Sequence, residues 1–365
     1  MRPRTPATLP FTFRGIALAL AAAAIALGNP PSTHPAIRDA GFVYERASFP
    51  QCHASTIVET TAGTLMVALF GGTHEKHPDV GIWLSRRENG RWSSPAEVAN
   101  GIQFTRVDGT VVRHPTWNPV LFQPRVGPLM LFYKAGPSPQ TWWGMLMTSM
   151  DDGRTWSEPR RLPEGVLGPI KNKPIQLADG SILCPTSSES PTAGWLIHFE
   201  RTRDLGRTWE VIGPIHKQEE FNAIQPSFLR HRDGRLQILA RSRNDVLVTS
   251  WSRDHGKTWS KVASSGLPNP SSGTDAVTLA DGRHVLVYNP TVRKPDGAGG
   301  PRTPLVVAVS NDGEKWKDAV VLESDAATHG YSYPAVIQTR DGRVHVTYTW
   351  RRERIRHVIL AAEKL

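Results

Sequence analysis

A turn motif that recurs along the chain limits the possible fold more than any other feature of the sequence. A hydroxyl residue, an aspartate, a glycine and a tryptophan follow one another in residues 149–156, 202–209, 252–259 and, in a shorter form, 310–316. A degenerate copy lies at residues 85–92. In such a turn the aspartate can bind backbone amides, the glycine supplies a positive φ and the tryptophan packs against the adjoining sheet. Copies at spacings of about 50 residues predict a repeat architecture in which each copy marks one unit.

A second pattern defines six units. In each unit an apolar run leads into a tight turn at a glycine, and another β-rich run follows; the turn glycines are Gly63, Gly127, Gly180, Gly234, Gly282 and Gly342. A turn between two such runs is a β-hairpin signal. A third β-rich segment follows each hairpin, so that units of three to four strands fill residues 50–365.

The last unit ends without an outer strand, whereas residues 41–48 (GFVYERAS) precede the first unit. We expect this N-terminal segment to complete the last unit and close a ring, since closure removes exposed sheet edges. The sequence therefore predicts an all-β, six-bladed β-propeller over residues 41–365. An open β-solenoid or a pair of β-sandwiches are the alternatives.

Residues 1–36 have the composition of an export signal. Arg2, Arg4 and Arg14 supply a positive region, residues 15–27 form an apolar run, and Gly28-Asn-Pro-Pro31 follows. The run is too short to span a bilayer. We therefore expect a signal peptide with a short linker, an exported mature protein in the periplasm or outside the cell, and no membrane insertion after signal removal. An uncleaved N-terminal anchor is the alternative.

The formal net charge of +10 favours anionic partners. Lysines and arginines are scattered, and no basic block is interleaved with aromatic residues, so nucleic acid is not an expected partner. We found no metal-ligand spacing and no dinucleotide- or phosphate-binding loop, so neither a metal nor a cofactor is predicted. An acidic carbohydrate is the expected partner.

Polar residues at equivalent distances from the turn glycines are expected to share one mouth of the central channel. Nine or ten positions before a turn glycine stand His53, Trp117, Asn118, Lys171, Gln225 and Tyr333, and seven positions after it stand Lys134, Ser187, Arg241 and Asn289. Inner strands of a packed propeller are otherwise apolar, so this polar ring predicts a shared pocket. The alternative is that these groups only satisfy strand ends and channel water.

The repeated turns resemble the Asp-boxes, or BNR repeats, of the sialidase (neuraminidase) superfamily, and the similarity runs from about residue 42 to 365. This resemblance implies a site in which three arginines hold a substrate carboxylate. A tyrosine assisted by a glutamate would be the nucleophile and an aspartate the general acid. Arg241 in LQILARSR and Arg302 in RTPLVVAVSNDG match two of the arginines, and Tyr331 in GYSYPAV matches the tyrosine.

The sequence departs from the family pattern at three positions. His53 stands where the first arginine is expected, and Gln225 stands where the glutamate is expected. The loop GGTHEKHPDVG, where the acid should lie, offers Glu75, His77 and Asp79.

The resemblance therefore implies a glycoside hydrolase of the exo-sialidase type that acts on sialic or uronic acid. Its expected catalytic residues are Tyr331, His53, Glu75 and Asp79. Its expected substrate-binding residues are Arg241, Arg302, Gln225, Lys171, Asn118, Lys134 and Trp117.

Two other functions fit the same residues. Arginines that neutralise a uronate carboxylate, with His53 or Tyr331 taking the α-proton, would form a polysaccharide lyase that works by β-elimination. A non-catalytic glycan-binding propeller is the third hypothesis.

Overall fold

The computed structural model of the chain describes Met1, residues 34–295 and residues 299–365. Six antiparallel sheets of four or five strands follow one another along this part of the chain, and inner strands of most neighbouring sheets contact each other, including those of the last and the first sheet. The predicted all-β, six-bladed β-propeller is confirmed.

The strands number 27 in the described residues. Blade 1 contains β2 (Gln51–Glu59), β3 (Leu65–Gly72), β4 (Gly81–Glu88), β5 (Arg91–Trp92) and β6 (Ala96–Ala99). Blade 2 contains β9 (Thr116–Phe122), β10 (Leu129–Ala135), β11 (Trp143–Ser149) and β12 (Arg160–Arg161). Blade 3 contains β13 (Ile175–Gln176), β14 (Ile182–Ser190), β15 (Gly194–Thr202) and β16 (Glu210–Ile212).

Blade 4 contains β17 (Ala223–Arg230), β18 (Leu236–Ser242), β19 (Val246–Ser252) and β20 (Ala263–Pro268). Blade 5 contains β21 (Asp275–Thr278), β22 (His284–Tyr288), β23 (Leu305–Ser310) and β24 (Lys317–Glu323). Blade 6 contains β25 (Tyr331–Gln338), β26 (Val344–Trp350) and β27 (Arg354–Leu360), and a short 3-10 helix, Ala362–Lys364, follows it.

An N-terminal strand closes the ring, as predicted, but it lies earlier in the chain than residues 41–48. Strand β1 (Ile37–Phe42) pairs antiparallel with β27, from Ile37 opposite Leu360 to Phe42 opposite Arg356. The strand stops at Phe42 because Val43 and Tyr44 turn inward and are buried in the core under blade 1. Two apolar side chains in succession suit a core segment better than an outer strand with one solvated face.

The Asp-box turns of blades 2 to 5 fasten each of these blades to the one before it. In the turn of blade 4, the carboxylate of Asp254 accepts hydrogen bonds from the backbone amides of Lys257 and Thr258 at 3.0 and 2.9 Å. Burial alone would raise the pKa of Asp254, but these bonds and those of the neighbouring hydroxyls lower it to about 2. Gly256, at φ +78°, lies so close to blade 3 that an added Cβ would sit 2.6 Å from Leu183 Cδ2. Each such turn is therefore a structural contact between blades.

A two-stranded hairpin that the sequence patterns did not predict connects blades 1 and 2. It consists of β7 (Ile102–Thr105) and β8 (Val111–Arg113), which pair only with each other among the described strands. Its apolar residues Ile102, Phe104 and Val111 are exposed. Ile102 and Phe104 alternate with polar residues and Asp108-Gly109 marks the turn, so the hairpin signal is present in the sequence, but it lies outside the six repeated units.

In the part of the chain that the structure covers, no helix has the length and apolar character needed to cross a bilayer. The predicted export signal falls, apart from Met1 and residues 34–36, outside the described residues. The thiols of Cys52 and Cys184 are both free and buried.

Candidate active site

Four innermost strands carry a β-bulge at the same distance from their turn glycine. The residue nine positions before that glycine has a positive φ in each: Ala54 at 54°, Asn118 at 37°, Gln225 at 59° and Tyr333 at 52°. The ladder register shifts at the same points. A bulge bends its strand and redirects the side chains next to it. The repeated bulge therefore turns polar side chains of distant segments toward one mouth of the ring.

Tyr333 lies at the centre of the polar contacts in this mouth. Arg241 Nη1 donates to the Tyr333 hydroxyl oxygen at 2.8 Å and to Gln225 Oε1 at 3.3 Å. Because a guanidinium can only donate, the amide atom that faces it is the oxygen, and Gln225 Nε2 then faces the Tyr333 oxygen at 3.4 Å. Two donors therefore point at the phenol oxygen, whereas the family pattern has a carboxylate in place of Gln225.

His53 packs directly against this tyrosine. The two ring centroids are 4.1 Å apart, and His53 Nδ1 lies 3.0 Å from Thr349 Oγ1. The pKa of His53 lies well below its ordinary value, first because the ring is buried and then because four cations surround it: Arg352, Arg302, Lys171 and Arg241. The imidazole is therefore neutral at neutral pH, with Nε2 available once Nδ1 is bound to Thr349.

Arg302 adds a second guanidinium to the mouth. Its Nη1 and Nη2 donate to the carbonyl oxygens of Pro270 at 2.9 Å and Ser271 at 3.3 Å. Burial, followed by the charge of Arg241, lowers the pKa of Arg302 to about 10. Of the carboxylates in residues 34–295 and 299–365, none forms an ion pair with either Arg241 or Arg302. Among the described residues, both guanidiniums donate hydrogen bonds to neutral acceptors rather than to a carboxylate.

Lys171 lies on the floor of the mouth and is buried. Its Nζ donates to Asn172 Oδ1 and to the Thr274 carbonyl, each at 2.8 Å, and to the carbonyl of Pro334. The ammonium is 5.7 Å from the centroid of the Tyr333 ring. Burial lowers its pKa to about 7. Lys171 therefore joins three blades. Its ammonium, which titrates near neutral pH, adds a positive charge beneath the ring of Tyr333.

Glu189, which the sequence analysis did not single out, is the acidic group of this region whose pKa is raised. Burial raises its pKa, although the charges of Arg241 and Arg243 and a hydrogen bond from Trp195 oppose the effect. The guanidinium of Arg241 lies 4.9 Å from the ring centroid of Trp195, which is opposite Glu189 in the sheet. Side chains alternate along a strand, so Glu189 shares a face with Ser187, which did fit the offset rule. The alternation of side chains along the strand is therefore the sequence signal from which Glu189 could have been predicted.

Glu75 and Asp79, the two predicted carboxylates, occupy different positions in their loop. Glu75 forms an ion pair with Arg352 Nη1 at 2.8 Å on the rim of the mouth. Asp79 accepts from Thr73 N at 3.0 Å and lies 2.7 Å from His77 Nδ1. Burial opposes the shift, but these bonds hold the pKa of Asp79 below its ordinary value. Asp79 therefore braces the loop, and its predicted role as general acid stays a prediction.

The prediction that Tyr331 enters the mouth is corrected by the structure. Its side chain is fully buried in the apolar core shared by blades 5 and 6, and its hydroxyl faces Arg351 at 3.4 Å. In a regular strand Tyr331 and Tyr333 would face the same side. The bulge between Ser332 and Ala335 separates them, so that Tyr333 alone enters the mouth.

Trp117 and Lys134 also lie away from the mouth, contrary to prediction. Trp117 is buried, donates to the Gly136 carbonyl at 2.9 Å and packs on Trp142. Lys134 is buried between blades 2 and 3, where it donates to the carbonyl of Pro169. Asn118 does lie at a bulge of the mouth, and its predicted role in substrate binding stays a prediction.

The fold and its Asp-box turns define a propeller of the sialidase superfamily. The chain matches the sequence profile of the BNR repeat-like domain over residues 63–346, and it belongs to that family. A sialidase of Bacteroides fragilis (strain YCH46) is 24% identical over 222 residues, which cover 53% of this chain and 39% of that protein. The chain thus matches well under half the length of this curated relative.

Solved structures share the fold. A Dyadobacter fermentans protein of unknown function superimposes with a TM-score of 0.72 at 17% identity, covering 89% of this chain and 98% of the other. The intramolecular trans-sialidase of Ruminococcus gnavus superimposes with a TM-score of 0.69 at 14% identity, covering 91% of this chain and 99% of the other. The NanB sialidase of Streptococcus pneumoniae superimposes with a TM-score of 0.68 at 13% identity, covering 89% of this chain and 71% of the other.

Proposed function

We propose that the protein is a sialidase-like glycoside hydrolase that acts on an acidic sugar of a glycan, either sialic or uronic acid, at the mouth around Tyr333. The observation that carries this proposal is the position of Arg241, which contacts Tyr333 at 2.8 Å while its charge lies close enough to Arg302 to lower the pKa of that residue. Two guanidiniums that form no ion pair with a described carboxylate, beside a nucleophile, suit a substrate that brings its own carboxylate.

The substrate carboxylate would bind between Arg241 and Arg302. Arg241 Nη1 donates to the neutral oxygens of Tyr333 and Gln225, which a carboxylate could replace as acceptors. A guanidinium fork matches a carboxylate with two parallel hydrogen bonds, and such charge-assisted bonds are the stronger kind. Neutral sugars would leave these charges unpaired, which disfavours their binding.

Tyr333 is the proposed nucleophile and His53 the proposed base. The Tyr333 oxygen attacks the anomeric carbon, the glycosidic C–O bond breaks, and the phenol proton passes to the neutral imidazole of His53. The cations around His53 make it a weak base in the free protein. Binding of the substrate carboxylate offsets those charges and strengthens the base, because an opposite charge nearby favours the protonated imidazole.

Glu189 is the proposed general acid. Its raised pKa favours the protonated carboxyl that can pass a proton to the leaving oxygen. In the second step a water molecule attacks the anomeric carbon, the bond between that carbon and the Tyr333 oxygen breaks, Glu189 takes the water proton and His53 returns its proton to Tyr333. The substrate is then hydrolysed, and both protein groups regain their starting states.

A lyase is the second candidate, and one contact favours it. Both groups that bind the Tyr333 oxygen are donors, so Gln225 cannot take the phenol proton as a glutamate would. In β-elimination the arginines neutralise a uronate carboxylate, and Tyr333 as phenolate, or His53, takes the α-proton. The electron pair forms a C=C bond, and the glycosidic oxygen leaves with a proton from Glu189.

The test compares wild-type protein with Arg241→Met on matched acidic and neutral glycosides. We expect turnover of the acidic members only, and a loss in kcat/KM of roughly 10- to 100-fold in the variant. Arg235→Met is the control, since Arg235 follows a hairpin turn away from the mouth and pairs with Asp233. Product analysis separates the candidates, because an unsaturated uronate identifies the lyase. Binding of acidic glycans with no turnover would contradict both and favour a binding protein.

A further inference from the structure

A cleft of ≈ 470 Å³ lies beside the mouth, between blades 2 and 3. Its size falls within the usual range of small-molecule sites. Its walls combine apolar and charged side chains: Trp143, Arg161, Glu164, Leu167, Val211 and Pro214. Ser188 and Glu189 of β14 line the same cleft.

Glu189 joins the cleft to the proposed active site. Its carboxyl feels the charge of Arg241 in the mouth, while its side chain also lines the cleft. A leaving group that receives its proton from Glu189 must lie within hydrogen-bond reach of that carboxyl. The part of the substrate attached to the leaving oxygen therefore extends toward the cleft.

One wall of the cleft is fixed in advance by buried charges. Glu200, which is fully buried, accepts hydrogen bonds from Leu167 N at 2.9 Å and Gly168 N at 2.6 Å. Lys134 donates to the carbonyl of Pro169 in the same loop. Burying charged groups is costly, and here their contacts fix the loop that shapes the cleft. A preformed wall lowers the ordering cost of binding.

The surface chemistry of the cleft suits a sugar ring. Trp143 is half-buried, and the guanidinium of Arg161 lies 4.7 Å from its ring centroid. Val211 is exposed, at 52% of its surface, on the edge strand β16. Apolar faces beside a few charged donors and acceptors are typical of sites that orient small polar ligands.

We infer that this cleft binds the sugar on the leaving side of the cleaved bond, so that the natural substrate is an oligosaccharide rather than a simple glycoside. The inference rests on the proposed function.

The experiment blocks the cleft with Val211→Arg and uses Val321→Arg as the matched control, since Val321 is likewise an exposed valine on an outer strand, β24 in blade 5. The probes are sialyllactose and the methylumbelliferyl glycoside of sialic acid, with the corresponding pair of glucuronides. We expect Val211→Arg to lower kcat/KM on the oligosaccharide at least about tenfold and to have a much smaller effect on the aryl glycoside. The control variant Val321→Arg should leave kcat/KM unchanged on both the oligosaccharide and the aryl glycoside. Equal losses on both probes, or no loss on either, would overturn the inference.

Failure of the proposed function can be told apart from failure of this inference. If wild-type protein cleaves none of the probes, calorimetry measures binding of the two oligosaccharides to the wild type and to both variants. Weaker binding to Val211→Arg alone would support the cleft as a sugar site without catalysis. Equal binding to all three proteins, or none, would overturn it.

Discussion

Two tyrosines two positions apart show what decides a site at the scale of single residues. The Tyr-Ser motif pointed to Tyr331, which packs in the core, whereas the distance from the turn glycine pointed to Tyr333, which enters the mouth. The distance of nine residues from the turn glycine predicts Tyr333 correctly because the bulge that redirects the strand lies at that distance. Arg241 and Arg302, predicted by the resemblance, both lie in the mouth, whereas Glu189 could be found only from the face it shares with Ser187.

Lys171 gives a pH-dependent prediction. Its pKa is lowered to about 7, so its positive charge is present below neutral pH and is lost as pH rises through that value. Binding of an acidic sugar should therefore weaken between about pH 6 and pH 8. Calorimetric titration over this range checks it, with Lys171→Met as the comparison. The variant should bind more weakly at the lower pH and change less across the range. The same pH dependence in both proteins would contradict the role of Lys171.

At the scale of elements, the hairpins and Asp-box turns could be predicted because each is set by local sequence. Turn glycines and alternating strands fix a hairpin without reference to distant segments. The hairpin β7–β8 and the start of β1 at Ile37 were not predicted. The first carries a local hairpin signal but lies outside the six repeated units, and the second depends on how Val43 and Tyr44 pack under another blade.

The contact between Asp-box turns and neighbouring blades predicts a difference between two glycines. Gly256→Ala should destabilise the fold by about 2 kcal/mol or more, because it adds a clash with Leu183 to the strain of positive φ. Gly90→Ala, at φ +79° with nothing within 4 Å of the added Cβ, should cost only about 1 kcal/mol. Denaturant unfolding of the two variants provides the measurement. Equal losses would mean that the turn does not fasten the blades.

For the whole molecule, the ring turns local repeats into a site. Six inner strands begin around one channel, so that Lys171, Gln225 and Tyr333 meet although they are distant in the chain. The sequence predicted this convergence from equivalent offsets. The sequence could not show which polar side chains would form contacts between blades instead of facing the mouth. Lys134 is an example, since it is buried and donates to the carbonyl of Pro169. That choice depends on packing between blades, which no single repeat encodes.

The most direct test of the account compares Tyr333→Phe with Tyr331→Phe for turnover of an acidic glycoside, after both variants have been shown to fold. Each substitution removes one hydroxyl from the same strand. We predict that kcat/KM falls at least about 100-fold in Tyr333→Phe, since the reacting oxygen is lost, and stays near the wild-type value in Tyr331→Phe. Full activity in Tyr333→Phe, or loss of activity in Tyr331→Phe alone, would contradict the placement of the active site at this mouth.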